Sequence, residues 1–267
     1  MVEKRLNDMT KVITIGCFKG GVGKSTLTEI LTYLLAKDGY KVLAVDTDPQ
    51  SNLTEKVQRT YKKRFKKDPS FMKGIKNLDL KDCIETVSGN LDILKGDWSL
   101  ENFDKYVIKN FDEKGEYFLL NSLLKPIKDQ YDYIIIDTRP STGILSNNAV
   151  CASDYVLITS KTEEDSFTSA KKYYSYLGNI QQNKKPSLKF LGLLPYLVNQ
   201  RGSTNRSIMN KINELFGEDV FKNYIRSSDR VVTWGEHGVT EYKPHDKKTM
   251  KMYIDVKNEI LNKLESE

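Results

Sequence analysis

The chain has 267 residues, 39% of them apolar, and a formal net charge of +6. That is enough apolar side chain for a full two-faced core, and no apolar run approaches the roughly 18 residues that would cross a bilayer, so an integral helical membrane protein is excluded. Cys17, Cys83 and Cys151 are far apart and lack Cys-x-x-Cys spacing, which argues against disulfides, zinc or a subunit-bridging iron-sulfur cluster and fits a reducing compartment.

Residues 1–10 are polar and charged, without the apolar centre of a signal peptide, and read as a loose leader to a single domain over 11–267. Val12-Ile13-Thr14-Ile15 predicts a strand, and Leu27, Ile30, Leu31, Leu34 and Leu35 keep helical spacing. Between them stands Lys19-Gly20-Gly21-Val22-Gly23-Lys24-Ser25-Thr26, a phosphate-binding loop in its expected strand-loop-helix context with a second lysine at its first position. Its glycines let successive N–H groups turn inward, and the following helix adds its positive end. Lys24 is expected to reach the outer phosphates of a bound polyphosphate, and the Ser25 hydroxyl to ligate a bridging magnesium ion.

A second apolar strand, residues 41–45, ends in Asp46-Thr47-Asp48-Pro49-Gln50, which places two carboxylates at the carboxyl edge of the sheet, where ligands bind in such folds. A polar helical stretch follows, then a less regular segment over 68–100 containing the strand-like Leu91-Asp92-Ile93-Leu94. A helix over 117–130 leads into a strand at 133–136 that ends in Asp137, the placement of a carboxylate that holds magnesium through water. Alone, either aspartate site reads equally well as a helix or turn cap; with the loop they define a triphosphate site. Strands at 155–159 and 190–194 flank a helix over 166–183; Glu163-Glu164-Asp165 before it read as helix caps or as part of a dimer face, capping being favoured. The fold class is α/β: a doubly wound, mostly parallel sheet with helices on both faces, of P-loop NTPase type.

These residues resemble the deviant Walker A ATPases related to ParA, Soj and MinD. The likeness runs from about Lys11 to the end, carried by residues 19–26, by 45–50, by Ile136-Asp137-Thr138 with Pro140-Ser141, and more weakly by 225–238. It implies an ATPase that uses ATP and Mg2+ and is active as a homodimer sandwiching two nucleotides, with Lys19 crossing to the partner's nucleotide. Lys19, Lys24 and Asp48 would be catalytic, Asp48 by positioning the attacking water. Asp46 would be a supporting carboxylate in the metal set with Ser25 and Asp137. Phosphoryl transfer needs charge neutralisation and an aligned water more than covalent chemistry, which suits these roles. The likeness further implies non-specific DNA binding, a ParB-type adaptor that stimulates hydrolysis, and a cytoplasmic, nucleoid-associated protein. Larger members carry a helix-turn-helix domain ahead of the ATPase, and ten residues before the first strand leave no room for one.

Lys56, Arg59, Lys62, Lys63, Arg64, Lys66 and Lys67 fall within twelve positions without an acid. This reads either as a polyanion-binding cluster or as a solvated face, because on one helix the seven would spread around more than one side. The other DNA-contacting candidates are Arg201, Arg206, Lys211, Arg226 and Arg230, with Trp234 nearby expected in the core. A MinD-like membrane-cycling role is the alternative, since Met252, Val256, Ile260 and Leu264 form an apolar stripe on the last helix, but its partly acidic end favours packing on the sheet and no stable membrane association. His237 and His245 are expected on the surface. The chain departs from the family pattern at Arg139 and Arg226, where proline is usual, and Tyr196 and Leu197 are placed beside the adenine by analogy of position.

Overall fold

The computed structural model describes residues 9–199 and 202–266; Arg201 and most of the expected leader lie outside them. The chain runs β1 (Lys11–Gly16), α1 (Lys24–Lys37), β2 (Val42–Asp46), α2 (Asn52–Tyr61), α3 (Phe71–Asn77), β3 (Ile84–Ser88), β4 (Leu91–Leu94), α4 (Phe103–Asn110) and α5 (Glu113–Leu124). It continues through β5 (Tyr133–Asp137), α6 (Ile144–Ala152), β6 (Tyr155–Ser160), α7 (Glu164–Asn183), β7 (Lys189–Val198), α8 (Ser203–Phe216), β8 (Ile225–Arg226), α9 (Asp229–His237) and α10 (Pro244–Glu265). Among the described residues the strands form one sheet in the order β3-β4-β2-β5-β1-β6-β7-β8, in which the β3–β4 pair is antiparallel and the other pairs are parallel.

The central strands are buried along almost their whole length and mostly apolar because helices cover both of their faces. Ile13 and Ile15 of β1 point into a core with α1, α2, α9 and α10, whereas Val12 of the same strand joins α3 to α6 on the other side. Beneath β6 and β7, a third cluster gathers Val156, Ile158 and Leu193 with Phe167, Tyr173 and Ile212 of α7 and α8.

Three expectations change. The helix expected over 117–130 is α5, which starts earlier because Asp112 caps it, accepting from the N–H groups of Lys114 and Gly115. It stops at Leu124 because Pro126 has no N–H to continue the helical ladder, although Lys125 still has helical angles, and only a single 3-10 turn, Lys128–Gln130, follows. The segment over 68–100 is more regular than its sequence pattern, holding α3 and the β3–β4 hairpin. The expected strand over 190–194 extends to Val198 as β7.

On α10, Val256, Ile260 and Leu264 are buried together with Tyr253 and Met250 against the first core cluster. The apolar stripe is thus spent on the sheet and is not presented to lipid. No described helix is long and apolar enough to cross a membrane. Trp234 is buried, and both histidines are exposed.

One core carboxylate is poorly served. Glu29 of α1 is 2% exposed; its Oε1 accepts from the Thr60 hydroxyl at 2.5 Å, while its Oε2 has no partner. Burial pushes its pKa up to about 7 against the pull of Thr60, Lys56 and Arg59. The unfolded chain releases this proton at about pH 4.3 and the folded chain keeps it until about 7, so stability declines as pH rises through that window. Glu29→Gln cannot ionise. Its stability advantage over the natural chain should be about 2 to 3 kcal/mol larger at pH 8 than at pH 5, read from urea melts; an equal difference at both pH values would show that Glu29 ionisation is not linked to folding.

Candidate nucleotide site

The carboxyl ends of β1, β2 and β5 meet at one edge. Register pairs Ile15 with Asp137 and Asp46 with Asp137, so both strand-end carboxylates lie side by side beneath the loop that leaves β1. The loop backbone is left-handed at Gly23, φ 90°, where a Cβ would come within 2.0 Å of the Tyr196 ring. Tyr196 is fully buried, and its hydroxyl shares a 2.6 Å hydrogen bond with that of Tyr253. This corrects its placement beside the adenine: Tyr196 supports the loop from within the core, and Gly23 is the residue that lets the loop close over it.

Lys24 is 6% exposed and donates its Nζ to the Lys19 carbonyl at 3.1 Å. Burial lowers its pKa, and the charges of Asp137, Cys17 and Asp48 raise it part of the way back. Its ammonium is therefore folded onto the loop that it would serve. The Lys19 ammonium lies 3.5 Å from Asp165 Oδ2, with both side chains well exposed. A pair so open to solvent is worth little and leaves Lys19 free to reorient.

A cavity of about 300 Å³ opens above the loop, lined by Gly20, Gly21, Gly23, Lys24, Ser25 and Thr26 on one side and by Asp48, Asn52, Lys56, Thr138 and Pro140 on the other. Asp48 is 6% exposed, and its Oδ1 accepts from the Gln50 N–H at 3.0 Å. Lys56, grouped by sequence with the basic cluster, belongs to this wall. Val22 is buried beneath the loop and does not line the cavity.

Asp46 and Asp137 are both completely buried and differ sharply in partners. Asp46 Oδ2 accepts from the N–H and hydroxyl of Thr54 at 2.9 and 2.7 Å, and its Oδ1 accepts from the Asp48 N–H at 3.1 Å. Its oxygens thereby anchor the start of α2 and orient Asp48. Neither oxygen of Asp137 accepts a hydrogen bond of good geometry, although the Ser25 hydroxyl stands close enough to favour its charged form. Burial and the neighbouring Asp46 push its pKa up, and the Ser25 hydroxyl and Lys24 ammonium offset part of that push. An unsatisfied buried carboxylate beside a hydroxyl and a phosphate cradle is a donor set suited to a hard cation: Ser25 and Asp137 would hold magnesium together with nucleotide phosphates. Among the described residues no cluster of three or more His, Cys, Asp or Glu side chains forms a metal site without the nucleotide.

Sequence reasoning missed three supports. Thr54 bridges Asp46 to the Gly96 N–H, its hydroxyl accepting at 2.9 Å. Gly96 has no space for a side chain: a Cβ would lie 2.7 Å from Asp46 Cγ and 2.8 Å from the Asp48 carbonyl. Asp104 of α4 accepts from the first two N–H groups of α6, at Ile144 and Leu145, and from the Arg139 guanidinium at 3.2 Å. Arg139, the departure from the family pattern, thus pins the segment between Thr138 and Pro140, both of which line the cavity, to α4. No local signal in sequence marks these tertiary partners. The acids before α7 also act differently from expected: Glu163 makes no side-chain cap, while Glu164 pairs with Lys211 at 2.8 Å and Asp165 faces Lys19.

Sheet order, loop and strand-end carboxylates together define a nucleotide-binding protein of the P-loop NTPase class. A sequence family described as AAA domain matches residues 10–190. The Soj sporulation initiation inhibitor protein of Bacillus subtilis is 28% identical, over 94% of this chain and 98% of that protein. The virulence plasmid ParA family protein pGP5-D of Chlamydia psittaci is 31% identical over 96% of each. A plasmid partition protein of Borrelia burgdorferi, solved bound to AMPPNP, is similar with a TM-score of 0.78 and 27% identity over 95% of this chain and 99% of that one. The ATP complex of a Cyanothece McdA variant shares the fold at a TM-score of 0.84 and 22% identity, covering 95% of this chain and 97% of that one. This chain belongs to the ParA family of partition ATPases.

Substitutions at two positions test the supports. Gly96→Ala should displace Asp46 or the Asp48 backbone, costing about 1 to 3 kcal/mol of stability and lowering nucleotide affinity, measured by thermal melts and fluorescent-nucleotide titration; unchanged values would show that the backbone yields freely there. Asp104→Ala should cost about 1 to 2 kcal/mol in urea melts through removal of the α6 cap. Asp104→Asn should restore about half, since an amide oxygen still accepts from the helix.

Proposed function

We propose that this protein is an ATP-hydrolysing partition ATPase, a single domain over 11–267, that moves or positions DNA by cycling between an ATP-bound homodimer and separated subunits. The observation that carries this reading is the pairing of a reorientable Lys19 at the loop's first position with the orphaned carboxylate of Asp137 beneath it. The nucleotide's phosphates would be cradled by the N–H groups of residues 20–26 and by Lys24. Asp48, on the cavity wall and held through its backbone by Asp46, would orient the attacking water. Magnesium, held through Ser25 and Asp137, neutralises phosphate charge when bound. Lys19 would exchange its weak contact with Asp165 for the partner subunit's nucleotide, adding positive charge where negative charge develops. Because that lysine comes from the second subunit, hydrolysis would require pairing.

Support comes from the intact loop and from relatives whose names carry partition roles. The dimer would bind DNA without sequence preference, a ParB-type adaptor would stimulate hydrolysis, and the protein would be cytoplasmic and nucleoid-associated. The burial of the α10 stripe supports this reading over a membrane-cycling one.

The deciding measurement is sedimentation of the protein with ATP and with ADP. Dimers should form with ATP and not with ADP, and equal association with both would overturn the scheme. Asp48→Ala should keep the ATP dimer while lowering the hydrolysis rate about 100-fold or more. Lys19→Ala should lose ATP-dependent pairing.

A further inference from the structure

The structure divides the seven clustered cations differently from their sequence. α2 ends at Tyr61, so Lys62, Lys63, Arg64, Lys66 and Lys67 stand on the loop beyond it, five cations in six positions. All five are exposed, while the one interruption, Phe65, turns inward and packs on the first core cluster. The loop is held in shape. Lys62 adopts left-handed backbone at φ 50°, with its N–H donated to the Arg59 carbonyl. The Lys63 ammonium donates to the Thr86 carbonyl on β3, and the Lys66 N–H donates to the Glu85 carboxylate at 3.0 Å. Glu85 itself faces Lys95 at 3.5 Å, so its charge is shared. Among the described residues, the side chains of Lys62, Arg64, Lys66 and Lys67 make no ion pair or hydrogen bond.

Four unneutralised cations fixed within one short loop repel one another, a cost that a polyanion would relieve. The rival basic group is partly spent: Lys211 pairs with Glu164 at 2.8 Å, Arg230 is tied to the buried Asp246 at 3.0 Å, and the exposed Arg226 guanidinium stands 6.0 Å from the Tyr224 ring centre. Arg226 lies on β8, at the sheet edge opposite the β3 edge to which the loop is fastened, whereas α9, which carries Arg230, packs on α2. A lipid surface fits the loop poorly, because its single apolar side chain is tucked away and nothing is left to enter a bilayer. Phosphates of a duplex need only cations at fixed positions.

We propose that the loop over 62–67 is this chain's contact with the DNA backbone, reading phosphate charge and not bases; this rests on the DNA-binding part of the proposed function. The test compares the natural chain with the quadruple variant K62Q/R64Q/K66Q/K67Q, which leaves the Lys63 anchor and every cavity residue in place. Both are titrated with a short duplex of mixed sequence, in the presence of a non-hydrolysable ATP analogue, across a series of salt concentrations. Melting temperature and nucleotide affinity serve as controls and should match. The variant should bind at least about 10-fold more weakly near 0.1 M salt, and the slope of log affinity against log salt should flatten by about 0.9 for each phosphate no longer neutralised, about 3 to 4 in all. Equal affinity and slope in the two proteins would overturn the proposal. So would unchanged DNA binding accompanied by abolished binding to phosphatidylserine vesicles. A natural chain that binds nucleotide and hydrolyses it but ignores duplex at every salt concentration would overturn the DNA part of the proposed function along with the loop, whereas failure of the variant alone to differ leaves that function standing.

Discussion

Parallel pairing of β2 with β5 forces two carboxylates, Asp46 and Asp137, next to each other in a place that water does not reach. Burial raises the proton affinity of both, and a neighbouring carboxylate adds to it, Asp46 for Asp137 and Asp48 for Asp46. The fold resolves the conflict unequally. Asp46 receives three hydrogen bonds from Thr54 and the Asp48 backbone, whereas Asp137 receives none of good geometry and has the Lys24 ammonium as its counter-charge. One carboxylate thereby serves as an anchor for its neighbours, and the other is left with more unused coordinating capacity.

That asymmetry organises the rest of the site. The bonds to Asp46 fix the start of α2, and α2 carries Asn52 and Lys56 along the cavity wall opposite the phosphate loop. Gly96 must lack a side chain for Asp46 to sit where it does. On the far side, Tyr196 and Tyr253 fill the space under Gly23, so the loop rests on packed aromatic surface. The α10 helix supplies Tyr253, which links the last helix of the described chain to the shape of the phosphate cradle and explains why its apolar stripe belongs to the core.

Charge is distributed by the same logic of what is and is not neutralised. Lys24 is committed inward, Lys19 is held only by a solvent-exposed partner, and the cations after α2 are anchored through backbone groups while most of their ammonium and guanidinium heads stay unpaired. The inward cation suits a bound nucleotide, the weakly held one suits a subunit that arrives, and the unpaired ones suit a polyanion outside.

Local sequence suffices for the phosphate loop, the strand-end carboxylates and the doubly wound order, because each is encoded by neighbouring residues: glycines in a row, an apolar run with an acid at its end, or a repeat at helical spacing. It misjudged α5, whose limits depend on a side-chain cap and a proline, and it placed Tyr196 beside a ligand because position along a strand does not reveal which face a side chain takes. Contacts made in three dimensions set the unequal surroundings of Asp46 and Asp137, the grip of Asp104 on Arg139, the division of the basic cluster between cavity and loop, and the need for glycine at 96. Each of these depends on residues far apart in the chain that meet through sheet register and packing, and no local pattern carries that information.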